Sequence, residues 1–98
     1  MVSILIRHRV SDFDQWKSNF DHAYAIRENA GERSYHIFRN ANDPSDVTLL
    51  CDWENLEKAR QFAASDTLWK GMHKGGVTTD VEIHVLEEVK PIRKTAAD

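Results

Sequence analysis

Trp69 and His73 stand four positions apart in a chain of 98 residues. On a helix that spacing puts them on one face, one turn apart. A histidine beside a large aromatic can take a proton near neutral pH or ligate a metal. Its competing role is structural, as a half-exposed residue favoured near a helix C-terminus by the helix dipole. His8, His36 and His84 fall in strand-like segments, where alternation sets His36 with Phe38 and His84 with Leu86. Such residues can equally fill a wet rim. Tyr24 offers a hydroxyl to a ligand, or packs in a core with its OH at the edge. Asp52 and Glu54 flank Trp53, as an acid/base pair or as acids that suit a helix start. No two histidines have a compact metal-ligand spacing and Cys51 stands alone, so no metal site is expected. The sequence has no Gly-rich phosphate loop and no Gly-x-Ser-x-Gly elbow, which removes support for flavin, nicotinamide or a serine nucleophile.

Composition narrows the classes further. Hydrophobic residues make up 41% and charged residues 30%, the balance of a folded domain rather than a disordered one. The formal net charge of −3 argues against nucleic-acid binding, which needs a basic face for phosphates. No apolar run approaches the roughly 20 residues of a membrane span. The opening Met-Val-Ser-Ile-Leu-Ile-Arg turns polar too early for a signal peptide, and a single cysteine needs no oxidising compartment. The expectation is a cytoplasmic protein with one domain over residues 1–90 and a polar tail over 91–98.

The elements that must position the candidate residues follow from periodicity. Val2, Ile4 and Ile6 alternate with Ser3, Leu5 and Arg7, which reads as a strand over 2–9. Ser11 or Asp12 caps a helix carrying Phe13, Trp16, Phe20, Ala23, Tyr24 and Arg27 at spacings of three and four, as far as Asn29. Gly31 ends it. A hairpin follows, with strands over 34–39 and 47–53 joined by the turn-forming run 40–46. A second helix spans 54–64, with Leu56, Ala59, Phe62 and Ala63 inward. Ser65-Asp66 opens a short helix through Lys74, stopped by Gly75-Gly76. The last strand covers 81–89 and ends before Pro91. The order strand, helix, strand, strand, helix, strand predicts an α+β domain of ferredoxin-like βαββαβ plan. Its four-stranded antiparallel sheet has the helices on one face.

Helices cover one face of such a sheet, and the other is polar if it meets water. Here Leu5, Leu50 and Leu86 lie among Arg7, Arg9, Thr48 and His84 on that second face. An apolar patch there predicts a homodimer in which two sheets pack about a two-fold axis. The alternative is a monomer with scattered surface leucines.

The run Asp52-Trp53-Glu54-Asn55-Leu56-Glu57-Lys58-Ala59, then Ser65-Asp66 and Met72-His73, resembles the antibiotic-biosynthesis monooxygenase-like proteins of the dimeric α/β-barrel superfamily. Phe13-Asp14-Gln15-Trp16-Lys17 resembles the small bacterial members labelled "cyclase". The resemblance spans residues 2–89. It implies a pocket between sheet and helices for flat hydrophobic molecules, in a superfamily of cofactor-independent oxygenases, polyketide cyclases, heme-degrading oxygenases and an isomerase. It also places His73 where heme-degrading relatives carry a histidine. However, Phe62 replaces their tryptophan, and Arg7 or His8 their asparagine. The leading expectation is cofactor-free oxygenation or cyclisation of an aromatic or polyketide-like compound. Phe38, Phe62 and Trp69 would form the walls, Tyr24 and His36 would contact substrate, and His73 would accept a proton. A non-catalytic dimeric ligand-binding or stress-associated protein is the second reading, and heme binding the third.

Overall fold

The computed structural model describes residues 1–78 and 80–89. The alternating segment at the start forms strand β1 (Val2–Arg9). Asp12 then accepts the Gln15 amide at 3.1 Å and opens helix α1 (Phe13–His22). The single helix expected as far as Asn29 is divided at Ala23, with α2 (Tyr24–Ala30) beyond the break. Ala23 shares its N–H between the Asn19 and Phe20 carbonyls, at 3.2 Å each, and its ψ of 9° leaves the helical range. Gly31, at φ 122°, closes α2 as the sequence required.

Strands β2 (Glu32–Asn40) and β3 (Asp43–Trp53) run deeper into the hairpin than the turn-rich composition implied. Local bonds hold the polar residues in register there. Asn40 Oδ1 accepts the Asn42 amide and Asp43 Oδ1 the Ser45 amide, while Arg39 Nε donates to the Pro44 carbonyl. Helix α3 (Leu56–Ala63) starts at an Asn55 cap and α4 (Asp66–Lys74) at a Ser65 cap. Each such cap contributes about 1 kcal/mol. Strand β4 (Glu82–Glu87) is the last element among the described residues and is shorter than the expected 81–89. Pro91 and the tail over 91–98 lie outside the described residues.

The sheet order is β2-β3-β1-β4, antiparallel throughout. This is the expected α+β ferredoxin-like arrangement. Ile4, Ile6, Val47, Leu49, Cys51 and Trp53 occupy one face and pack against Trp16, Phe20, Ala59, Phe62 and Met72 of the helices. The opposite face carries Leu5 paired with both Leu50 and His84, and Leu50 paired with His36. Phe38 and Leu86 on that face are 53% and 41% exposed, so it bears an apolar surface that the helices leave uncovered. Among the described residues no helix is long and apolar enough to cross a membrane.

Candidate functional site

Between the inner face of the sheet and the helices lies a cavity of about 300 Å³. Its floor is the alternation of the central strands: Ile4 and Ile6 from β1, Leu49 and Cys51 from β3. Trp16 and Phe20 stack on one side, ring centroids 5.3 Å apart, and Phe62 and Met72 come from α3 and α4. This size suits a small flat ligand, at the lower end of ordinary binding pockets.

Three residues in this apolar wall hold buried polar atoms without a protein partner among the described residues: His8 Nδ1, Arg27 Nη2 and Trp53 Nε1. His8 is 3% exposed and meets Trp16 edge-on, with centroids 5.8 Å apart. Burial pushes its imidazole below the ordinary value, opposed first by its own backbone and then by the Asp46 carboxylate. At neutral pH it is therefore an uncharged base. Arg27 and Glu32 form a buried pair in which Nε donates to both carboxylate oxygens at 3.1 Å. Arg27 Nη1 donates to the Phe20 carbonyl, and the guanidinium lies 3.5 Å from the centre of the Phe20 ring. Burial, and then Glu32, drive the Cys51 thiol far up, which disfavours the reactive thiolate.

Of the residues expected at the site, only Phe62 lines this cavity. Trp69 is 48% exposed, and His73 is exposed beside it. Helix α4 turns Leu68 and Met72 inward, so their C-terminal neighbours Trp69 and His73 are rotated about 100° away. Tyr24 is 51% exposed, because it stands just beyond the break at Ala23 instead of continuing the inner stripe of α1. Glu28, one turn on, pushes its phenol up. His36 and Phe38 stack at 6.3 Å on the uncovered face, across the sheet from the cavity. Strand parity requires this, since Tyr35 and Ile37 take the inner positions. His73, Trp69, Tyr24, His36 and Phe38 thus lie outside this cavity. Conversely, His8 continues the buried phase of Val2, Ile4 and Ile6, a signal present in the sequence. The described residues contain no cluster of three or more His, Cys, Asp or Glu able to hold a metal ion.

No protein-family model matches the chain, and no curated protein does. Solved structures do. A Bordetella bronchiseptica protein, provisionally named an antibiotic biosynthesis monooxygenase, superposes with a TM-score of 0.72 at 16% identity, covering 90% of this chain and 96% of its own. A Deinococcus radiodurans protein with the same provisional name gives 0.68 at 18%, covering 98% and 100%. SnoaB, a cofactor-independent oxygenase from Streptomyces nogalater, gives 0.68 at 14%, covering 93% and 97%. At these identities the likeness establishes the fold, and the names are those of the family that the sequence resembles.

Proposed function

We propose that the chain takes a flat aromatic or polyketide-like compound into the cavity and promotes its cofactor-free oxygenation or cyclisation, with His8 as the proton acceptor. The observation that carries this reading is His8 itself. It is a buried imidazole in an apolar cavity wall, with one ring nitrogen unpartnered and burial favouring the neutral form. Oxygenation and cyclisation of such compounds begin alike, by removal of a proton from carbon conjugated with a carbonyl, either directly adjacent to it or through an aromatic ring. A neutral buried imidazole suits that step, and the N–H groups of Arg27 and Trp53 suit the enolate oxygen that develops. In oxygenation the resulting carbanion bonds to one atom of dioxygen. A CH₂ group becomes C=O, and the second oxygen atom leaves as water with both hydrogens. SnoaB, of the same fold, is a cofactor-independent oxygenase, which supports the choice of chemistry.

The heme reading gains no support from the residue that suggested it. His73, the histidine that the sequence offered as its axial ligand, is exposed and outside the cavity. A homodimer is part of the proposal, supported by the leucines, Phe38 and His36 on the uncovered sheet face.

The test is turnover of anthrone- and polyketide-type compounds, followed by oxygen uptake and product mass, for the native chain and for H8F and H73A. The reading expects H8F to lose about 10²–10⁴-fold in rate, the usual contribution of a positioned base, and H73A to stay within about twofold of native. Compounds that bind and are returned unchanged would favour the non-catalytic reading. An H8F rate equal to native would remove His8 from the chemistry.

A further inference from the structure

The cavity wall has a charge character opposite to that of the chain. The whole chain carries a formal charge of −3, yet among the described residues no Asp or Glu lines the cavity, whereas the cations Arg27 and Lys74 do, with the imidazoles of His8 and His22 beside them. Three carboxylates outside the lining are already bonded, one of them to Arg27 itself. Glu32 holds the Nε edge of Arg27, Asp46 is gripped by Arg7 in a two-point contact at 2.8 and 3.1 Å, and Asp21 is bonded to Lys17. Arg27 is 5% exposed, and its Nη2 has no partner among the described residues. A buried guanidinium with a spare N–H edge is an acceptor-seeking group, strongest toward a charged oxygen. At the mouth, His22 uses Nδ1 on the Ser18 carbonyl at 2.7 Å, which leaves its other ring nitrogen uncommitted to that bond.

We infer that the cavity selects a hydrophobic monoanion, an aromatic carboxylate or a compound enolised at neutral pH, over neutral and cationic compounds of the same shape, with Arg27 as the selecting residue. The inference rests on the cavity reading above and narrows its substrate class. Neutral aromatics would satisfy the apolar floor but leave Arg27 Nη2 without an acceptor, and cations would meet the Arg27 and Lys74 charges with no lining carboxylate among the described residues to offset them.

Trp16 and Trp53 line the cavity, so their fluorescence reports occupancy directly. Naphthoate, naphthalenemethanol and naphthylmethylammonium share one ring system and differ in the charge of the attached group. Titrating each into the native chain is expected to give a preference of at least about tenfold for naphthoate over the alcohol, with the ammonium weakest, since charge-assisted bonds are the strong ones. The R27M/E32Q variant removes both members of the buried pair together and is expected to bring naphthoate and the alcohol within about twofold, because only the shared ring contacts remain. R27K, which keeps a charge in place, is expected to retain part of the preference. Equal binding of naphthoate and the alcohol by the native chain overturns this inference and leaves the cavity reading standing. An undiminished preference in R27M/E32Q overturns the role of Arg27. Binding of none of the three overturns the cavity reading and this inference with it.

Discussion

Replacing Glu32 by glutamine is a severe test of how the cavity wall is built. The side chains of Arg27 and Glu32 are 6% and 3% exposed, so the pair sits almost wholly out of water. Glutamine keeps the shape and one acceptor oxygen but removes the negative charge, leaving the guanidinium buried and uncompensated. Removing one partner of such a pair costs about 3–5 kcal/mol, while removing both together is often close to neutral. A domain of this size has about 5–15 kcal/mol of stability, so E32Q takes a large share of it. Each kcal/mol lowers the melting temperature by roughly 4–8 °C in a chain of this length. The assay is urea unfolding of native, E32Q and R27M/E32Q at one fixed protomer concentration, followed by far-UV circular dichroism. The expected order is native above R27M/E32Q above E32Q, with E32Q lower than native by about 3 kcal/mol. An E32Q within about 1 kcal/mol of native would mean that the pair is effectively screened, as surface pairs are. The low-dielectric wall invoked for Arg27 and His8 would then fail.

Gly76 holds φ 79°, and a Cβ there would lie 2.6 Å from Ser11 Oγ, so G76A should cost about 1–3 kcal/mol in the same unfolding assay. The folded value of His8 lies below its unfolded value of about 6.5, so protons prefer the unfolded chain. Native stability should therefore fall as pH drops below about 6.5, and H8F should flatten that part of the stability–pH curve. Asp46 is held at about 2, first by the Arg7 hydrogen bonds and then by Asn40. Its stabilisation is present above an unfolded value of about 4 and is lost as pH falls from there. D46N should lose that acid limb. On the uncovered sheet face, a lysine in place of Leu50 should shift the sedimenting species from dimer toward monomer, and a native chain that sediments as a monomer would remove the dimer from the proposal.

Strand parity and helix caps were legible in the sequence because each rests on neighbours within a few residues. Val2, Ile4 and Ile6 fixed the buried face of β1, and Asp12 and Ser65 act as the caps of α1 and α4, whereas the helix expected from residue 54 starts only beyond its Asn55 cap. The division of the first helix was not legible. It depends on Ala23 sharing its N–H between two carbonyls, an outcome of packing rather than of any residue's preference. That one break carries Tyr24 out of the stripe that spacing assigned to it. Which residues meet the cavity was less legible than the fold, for a related reason. Trp69 and His73 do share a helix face, but spacing cannot say which face meets the sheet, and Leu68 and Met72 took the inner one. His8 was recoverable: parity with Ile4 and Ile6 placed it inward, where a histidine among aliphatic residues is a stronger functional signal than one at a helix end. The Arg27–Glu32 pair was harder to foresee, because it needs the turn at Gly31 to fold Glu32 back against α2.

Crystals of the chain soaked with a flat aromatic carboxylate measure ligand placement directly. The account predicts density between the Trp16–Phe20 stack and the Ile4–Ile6 floor, with a ligand oxygen within about 3.2 Å of a His8 or Arg27 nitrogen. Density seated instead over His36 and Phe38 on the opposite face of the sheet, with the cavity closed by its own side chains, would contradict it.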